Sequence, residues 1–161
     1  MGYGWKQGGD GKTINPTQWF SQNQFHFTTQ KTLTGAQSIT DSPGLHYKRK
    51  LLYAELKLTC DATAANRRIV FTVEQEDGTD IIEFKTSAIT ASQTGVILLN
   101  IDYHQNLLSG IFNVITTVDM SHPYIYGKDK YTISVDNGVT GDSLDVSLKY
   151  IQVPVNLCFP E

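Results

Sequence analysis

RIVFTVEQEDGTDIIEFK, residues 68–85, carries the pattern on which the fold turns. Ile69, Phe71 and Val73 alternate with Val70, Thr72 and Glu74. After the turn Glu76-Asp77-Gly78-Thr79, Ile82 and Phe84 alternate with Glu83 and Lys85. A period of two places successive side chains on opposite faces of a strand, and Asp-Gly between two such runs signals a hairpin. A lone hairpin cannot bury its apolar face, so further strands are required. Upstream, Leu52, Ala54, Leu56 and Leu58 alternate with Tyr53, Glu55, Lys57 and Thr59. Downstream, residues 96–101 are apolar on both faces, as in a central or covered strand. Residues 111–118, 124–126 and 131–135 read as further strands, and Leu144, Val146, Leu148 and Tyr150 alternate with Asp145, Ser147 and Lys149. Asn137-Gly138 and Thr140-Gly141-Asp142 are turns, and residues 102–110 are a loop or a short helical turn. Pro154 lacks the N–H a ladder needs and is expected to end pairing.

Seven or eight short strands separated by turn signals, with no helix of ten residues, predict an all-β chain: an antiparallel β-sandwich. A jelly-roll-like topology is favoured over an immunoglobulin one. The latter needs a core Trp between two cysteines, and no Trp lies beyond residue 19. The chain has 161 residues, enough for one domain with an arm. The division falls after residue 47, with an extended N-terminal arm over 1–47 and the sandwich over 48–161. Residues 1–12 hold five glycines beside Tyr3 and Trp5. Residues 13–44 are rich in Thr, Gln, Asn and Ser, with Trp19, Phe20, Phe25 and Phe27 among them, and show no sustained period. Short strands are predicted there at 24–30 and 37–40, before the turn Ser42-Pro43-Gly44.

Hydrophobic residues make up 40% and charged residues 18%, which excludes a charge-rich disordered chain. No apolar run approaches the roughly 20 residues that span a bilayer, so no membrane partner is expected. Net charge is −3, which gives no chain-wide basic field for nucleic acid. The charge is uneven, however. Residues 1–60 carry seven Lys/Arg and three Asp/Glu, whereas residues 61–161 carry six and thirteen. A basic first part and an acidic body suit head-to-tail contact between copies. The start of the chain has no apolar stretch of a signal peptide, and Lys6 stands where a myristoylation pattern needs Ser or Thr, so a reducing cytoplasm is the expected site of assembly. Cys60 and Cys158 are then expected as buried free thiols, with a disulfide between them as the alternative.

No motif carries enzyme chemistry. His26, His46, His104 and His122 have no ligand spacing, so no metal or cofactor is expected. The Asp77/Asp80 and Asp136/Asp142 loops read as side-chain-capped turns rather than Ca²⁺ sites. Glu74, Glu76 and Glu83 flank the hairpin but have no aromatic cleft around them. Gly8–Lys12 lacks the spacing of a phosphate loop. Residues 46–50, His-Tyr-Lys-Arg-Lys, form the one basic cluster and read as a strand entrance or a protein contact rather than a phosphate grip.

A Gly-rich Met1–Lys12, an aromatic arm over Trp19–Phe27 and a strand ladder from Leu51 to Val153 are the features of a resemblance. Together they are similar to the small jelly-roll auxiliary, decoration, cement or collar-type virion proteins of tailed phages. The resemblance implies a non-enzymatic structural protein that stabilises or decorates a phage particle. It also implies a homo-oligomer touching the major capsid or another virion protein, located in the virion after assembly in the host cytoplasm. The interaction residues expected on that reading are Trp5, Trp19, Phe20, Phe25 and Phe27 as aromatic anchors, with Lys48, Arg49 and Lys50 facing acidic surface. The alternative is a carbohydrate-binding, lectin-like sandwich in which Tyr124, Tyr126 and Tyr131 form a stacking platform.

Overall fold

The computed structural model describes residues 5–6, 13–14, 26–99, 112–118 and 124–156. These are organised into twelve strands and, among the described residues, no helix: β1 (Trp5–Lys6), β2 (Thr13–Ile14), β3 (His26–Thr34), β4 (Ile39–Asp41), β5 (Tyr47–Thr59), β6 (Arg68–Glu74), β7 (Asp80–Lys85), β8 (Thr94–Leu99), β9 (Val114–Val118), β10 (Tyr124–Tyr126), β11 (Lys130–Asp136) and β12 (Ser143–Pro154). β1 and β2 form a two-stranded ribbon of their own. The others form two sheets, ordered β3-β12-β5-β8-β9 and β4-β11-β6-β7, with β10 beside the first residues of β5.

Two four-stranded runs, β3-β12-β5-β8 and β4-β11-β6-β7, contain eight strands in jelly-roll order. Among these eight, only β6 and β7 are chain neighbours within one sheet. Every other connection passes between the sheets. β9 extends the larger sheet and is parallel to β8. Residues 26–41, read from sequence as part of the arm, supply an outer strand to each sheet: β3 lies along β12, and β4 lies along β11.

The hairpin that opens the sequence argument is β6–β7. Its turn is closed by the Gln75 amide on the Thr79 carbonyl at 2.9 Å and the Gly78 amide on the Gln75 carbonyl at 3.0 Å. Asp77 Oδ1 accepts from the Thr79 amide at 2.8 Å, so this aspartate caps its own turn. Gly78 has φ of +86°, a conformation a side chain would strain.

The inner faces meet in one core. Ala54, Leu56, Leu58, Ile97, Leu99, Val146 and Leu148 come from the larger sheet; Ile69, Phe71, Val73, Tyr131 and Ile133 come from the smaller. Each large apolar side chain removed from water in this way contributes about 1.5–3 kcal/mol. Of residues 96–101, expected to be apolar on both faces, Val96, Ile97, Leu98 and Leu99 are all buried, and 100–101 lie outside the described residues. One inward set differs from the alternation. Leu51, not Leu52, continues the buried series of Ala54, Leu56 and Leu58. The register of β12 against β5 shifts between Lys149 and Tyr150, and a bulge of one residue inverts the faces beyond it. Pro154 is the last residue of β12, opposite Tyr47, where pairing stops.

Candidate interaction surface

Each end of the sandwich is plugged by a buried arginine. At the end where β5 finishes, Arg67 is fully buried. Its Nε donates to Asp142 Oδ2 at 2.9 Å and its Nη2 to Asp61 Oδ1 at 2.7 Å. Its Nη1 donates to the carbonyls of Thr63 and Ala65. Asp142 also accepts from the amides of Val139 and Asp61 at 2.8 and 3.0 Å. Burial alone would push this carboxyl up. The two amides and the guanidinium outweigh burial and hold Asp142 below the usual carboxylate range. Sequence reading assigned Asp142 a turn role. Its partnership with Arg67 has no local sequence signal, since the two are far apart in the chain.

Cys60 is a free, buried thiol beside this network, and Cys158 lies outside the described residues. Burial, reinforced by Asp142 and opposed by Arg67, pushes the Cys60 thiol up to about 11. The thiolate is the nucleophile, so native Cys60 should resist a thiol probe at pH 8 and react at least tenfold faster in denaturant. Equal rates in the two states would place the sulfur at the surface.

At the other end, the basic cluster of residues 48–50 is divided by strand alternation. Arg49 points inward and is buried, so it does not face outward with its neighbours. Its Nη1 donates to Asp41 Oδ2 on β4 at 2.8 Å, and its Nη2 to Gln152 Oε1 on β12 at 2.9 Å. The guanidinium lies 4.0 Å from the Tyr150 ring centroid and 5.7 Å from that of Tyr131. Tyr131 completes the group by donating its hydroxyl to Asp41 Oδ2 at 3.0 Å. Burial, with Asp41 nearby, pushes the Tyr131 phenol up. The cluster therefore ties the two sheets together. Lys48 and Lys50, offset by one residue, stand on the opposite face of β5, across from Tyr126 and Tyr124 of β10.

The expected aromatic anchors are placed as follows. Trp5 is in β1, opposite Ile14. Phe27 is in β3, opposite Tyr150 of β12. Trp19, Phe20 and Phe25 lie outside the described residues. The tyrosine platform is not assembled as read: Tyr131 is in the core, whereas Tyr126 is half-exposed. The hairpin acids are ion-paired. Glu74 meets Lys130 at 2.8 Å, and Glu76 meets Lys128. The described residues bring no three His, Cys, Asp or Glu side chains together as a metal site.

The outer face of the larger sheet holds a shallow groove of about 330 Å³ lined by Lys31, Thr32, Glu55, Asp145, Val146 and Ser147. Within it, Thr32 donates its hydroxyl to Asp145 Oδ1 at 2.8 Å. Tyr53 stands at its border, with its hydroxyl 3.2 Å from Ser147 Oγ.

No known protein family matches this sequence, and no curated protein does. Among solved structures, a chain of the infectious bursal disease virus Gt strain is 15% identical. That match covers 85% of this chain and 32% of the viral one, with a TM-score of 0.26. A chain of the T=1 particles derived from infectious bursal virus is 10% identical. It covers 83% of this chain and 39% of the other, with a TM-score of 0.22. This chain thus spans about a third of the length of those it resembles. Scores this low are far below those of chains that superpose, so the jelly-roll assignment stands on strand order alone.

Proposed function

We propose that this chain is a structural virion protein, one that stabilises or decorates a phage particle without catalysing a reaction. It would do so as a homo-oligomer, assembled in the host cytoplasm, in contact with the major capsid protein or another virion protein. The observation that carries this reading is a jelly roll whose interior is filled and whose ends are both plugged by ion-paired arginines. Jelly rolls serve as capsid subunits, lectins and cupins. Cupin chemistry takes place inside the barrel, and here that space is occupied by Leu56, Phe71, Ile97 and their neighbours. What remains available is the exterior, and an exterior acts by contact. The N-terminal residues Trp5, Trp19, Phe20 and Phe25 supply anchors of the type that dominates contact energies.

Light scattering on the full-length chain tests the reading. A discrete trimer, hexamer or larger ring is expected. Removing residues 1–25, which spares all eight jelly-roll strands, should abolish that ring while β-sheet circular dichroism persists. A monomer that binds glycans would instead favour the lectin reading. The groove between Lys31, Glu55 and Asp145 is the one observation on that side, being polar, bordered by Tyr53 and of ligand size.

A further inference from the structure

Of the chain's eight asparagines, only Asn137 is followed by glycine. An Asn-Gly pair carries its own chemistry, because glycine has no side chain to keep its amide nitrogen from the preceding Cγ. The Gly138 nitrogen bonds to Asn137 Cγ and gives up its proton. The Cγ–Nδ2 bond breaks, and Nδ2 leaves with that proton as ammonia, closing a five-membered succinimide. Water then opens the ring at either carbonyl and returns a proton to the released nitrogen. The product is aspartate or its β-linked isomer, whose backbone runs through Cγ and is one methylene longer. Water is the one co-reactant.

In the folded chain both reacting groups are held. Asn137 follows β11 with φ of +57°, a left-handed conformation that asparagine tolerates better than most residues. Its Nδ2, the atom that would leave, donates to the Asn66 carbonyl at 3.1 Å. Gly138 is wedged from the other side: a Cβ there would lie 2.5 Å from the Gly35 carbonyl oxygen. Gly35 is fixed in turn by its amide, which donates to the Asp142 carbonyl at 3.1 Å, and the Val139 amide donates to Asp142 Oδ2 at 2.8 Å. The pair therefore sits between the loop that leads into Arg67 and the loop that carries Asp142. For Cγ to swing onto the Gly138 nitrogen, the bond to Asn66 must break first.

We propose that Asn137 is a site of spontaneous deamidation that the fold holds shut: it converts in the unfolded chain and is retained in the folded one. The residue thus records how long a chain stays unfolded. The products do not fit the folded turn. Aspartate sets a carboxylate against the Asn66 carbonyl oxygen, acceptor facing acceptor, where Nδ2 now donates. The β-linked isomer lengthens the backbone where Gly138 is already pressed against Gly35. A chain modified while unfolded therefore closes this turn poorly and folds to a less stable state.

The test incubates the full-length chain at pH 8, in native buffer and in concentrated guanidinium chloride. Samples are digested over time, and the peptide containing residue 137 is followed by mass spectrometry, with its two product isomers separated by chromatography. Conversion should be at least tenfold slower in the native chain than in the unfolded one. Equal rates would overturn the proposal, because the fold would then hold nothing. So would an unfolded chain in which Asn137 converts no faster than Asn66 or Asn113, which precede Arg67 and Val114. In parallel, Asn137→Asp installs one product directly and should lower Tm by about 2–4 °C. An unchanged Tm would show that the contact with Asn66 secures nothing, and the gate would fall with it.

Discussion

Arg67→Ala should remove about 3–5 kcal/mol of unfolding free energy, with a fall in Tm on the order of 10 °C. The side chain is fully buried, and every group it touches is left changed by its loss. Asp142, itself buried, would keep its charge without a cationic partner, and the carbonyls of Thr63 and Ala65 would lose their donors. An uncompensated buried charge costs more than the pair contributed. A double variant, Arg67→Met with Asp142→Leu, should therefore recover part of the deficit. Recovery will be incomplete, because Asp142 also accepts from the amides of Val139 and Asp61. The pH dependence follows from the direction of the shift. A carboxyl held below its unfolded value contributes stability that is present above about pH 4 and is lost as pH falls through its folded value. Removing Arg67 removes the guanidinium's share of that contribution and leaves the share of the two amides, so the gap between the two proteins should narrow in acid. Urea denaturation at pH 7 and pH 3 measures this, and a gap that widens toward pH 3 would show that Asp142 is not the group involved.

Phe71→Ala should cost a similar amount, about 3–5 kcal/mol. Phe71 is fully buried at the centre of the smaller sheet's inner face. Its ring stacks between those of Phe84 and Tyr131, with centroids 6.4 and 6.2 Å away. Its loss opens a cavity in a close-packed core that relaxes only in part, and it also strips support from Tyr131 in the Arg49 cluster. Ile115→Ala on β9 is the contrasting case. That side chain is 53% exposed, and its truncation should change stability by less than about 0.5 kcal/mol. Thermal or chemical denaturation of the two variants compares them directly. Equal losses would mean that β9 is buried to the same degree as β6.

The sandwich itself was readable because its signals are local. Ile69, Phe71 and Val73 alternate with their neighbours, and Asp77-Gly78 turns the chain within four residues, so the hairpin is written into a contiguous stretch. Val96 and Leu98, apolar on the second face of β8, disclosed a covered strand for the same reason. The arm boundary was less legible. The Thr- and Gln-rich run at 28–34 has too few apolar residues to show which face it buries, yet it lies beside β12 along its whole length. Leu52 was placed inward by alternation that a bulge opposite Lys149 and Tyr150 interrupts. The basic cluster was read as three outward cations. Alternation sends the middle one inward, where Asp41, Gln152 and Tyr150 receive it.

The sequence alone determined that the chain is all-β, where most of its strands and turns lie, and which residues form most of the core. Periodicity and turn chemistry act between neighbours in the chain and need no partner to be visible. Only the tertiary structure decided which strands adjoin and that Arg49 and Arg67 plug the two ends. Arg49 meets Gln152 and Arg67 meets Asp142 only because the jelly-roll order brings distant strands side by side. A buried ion pair depends on that juxtaposition, and neither partner's sequence neighbourhood specifies the other.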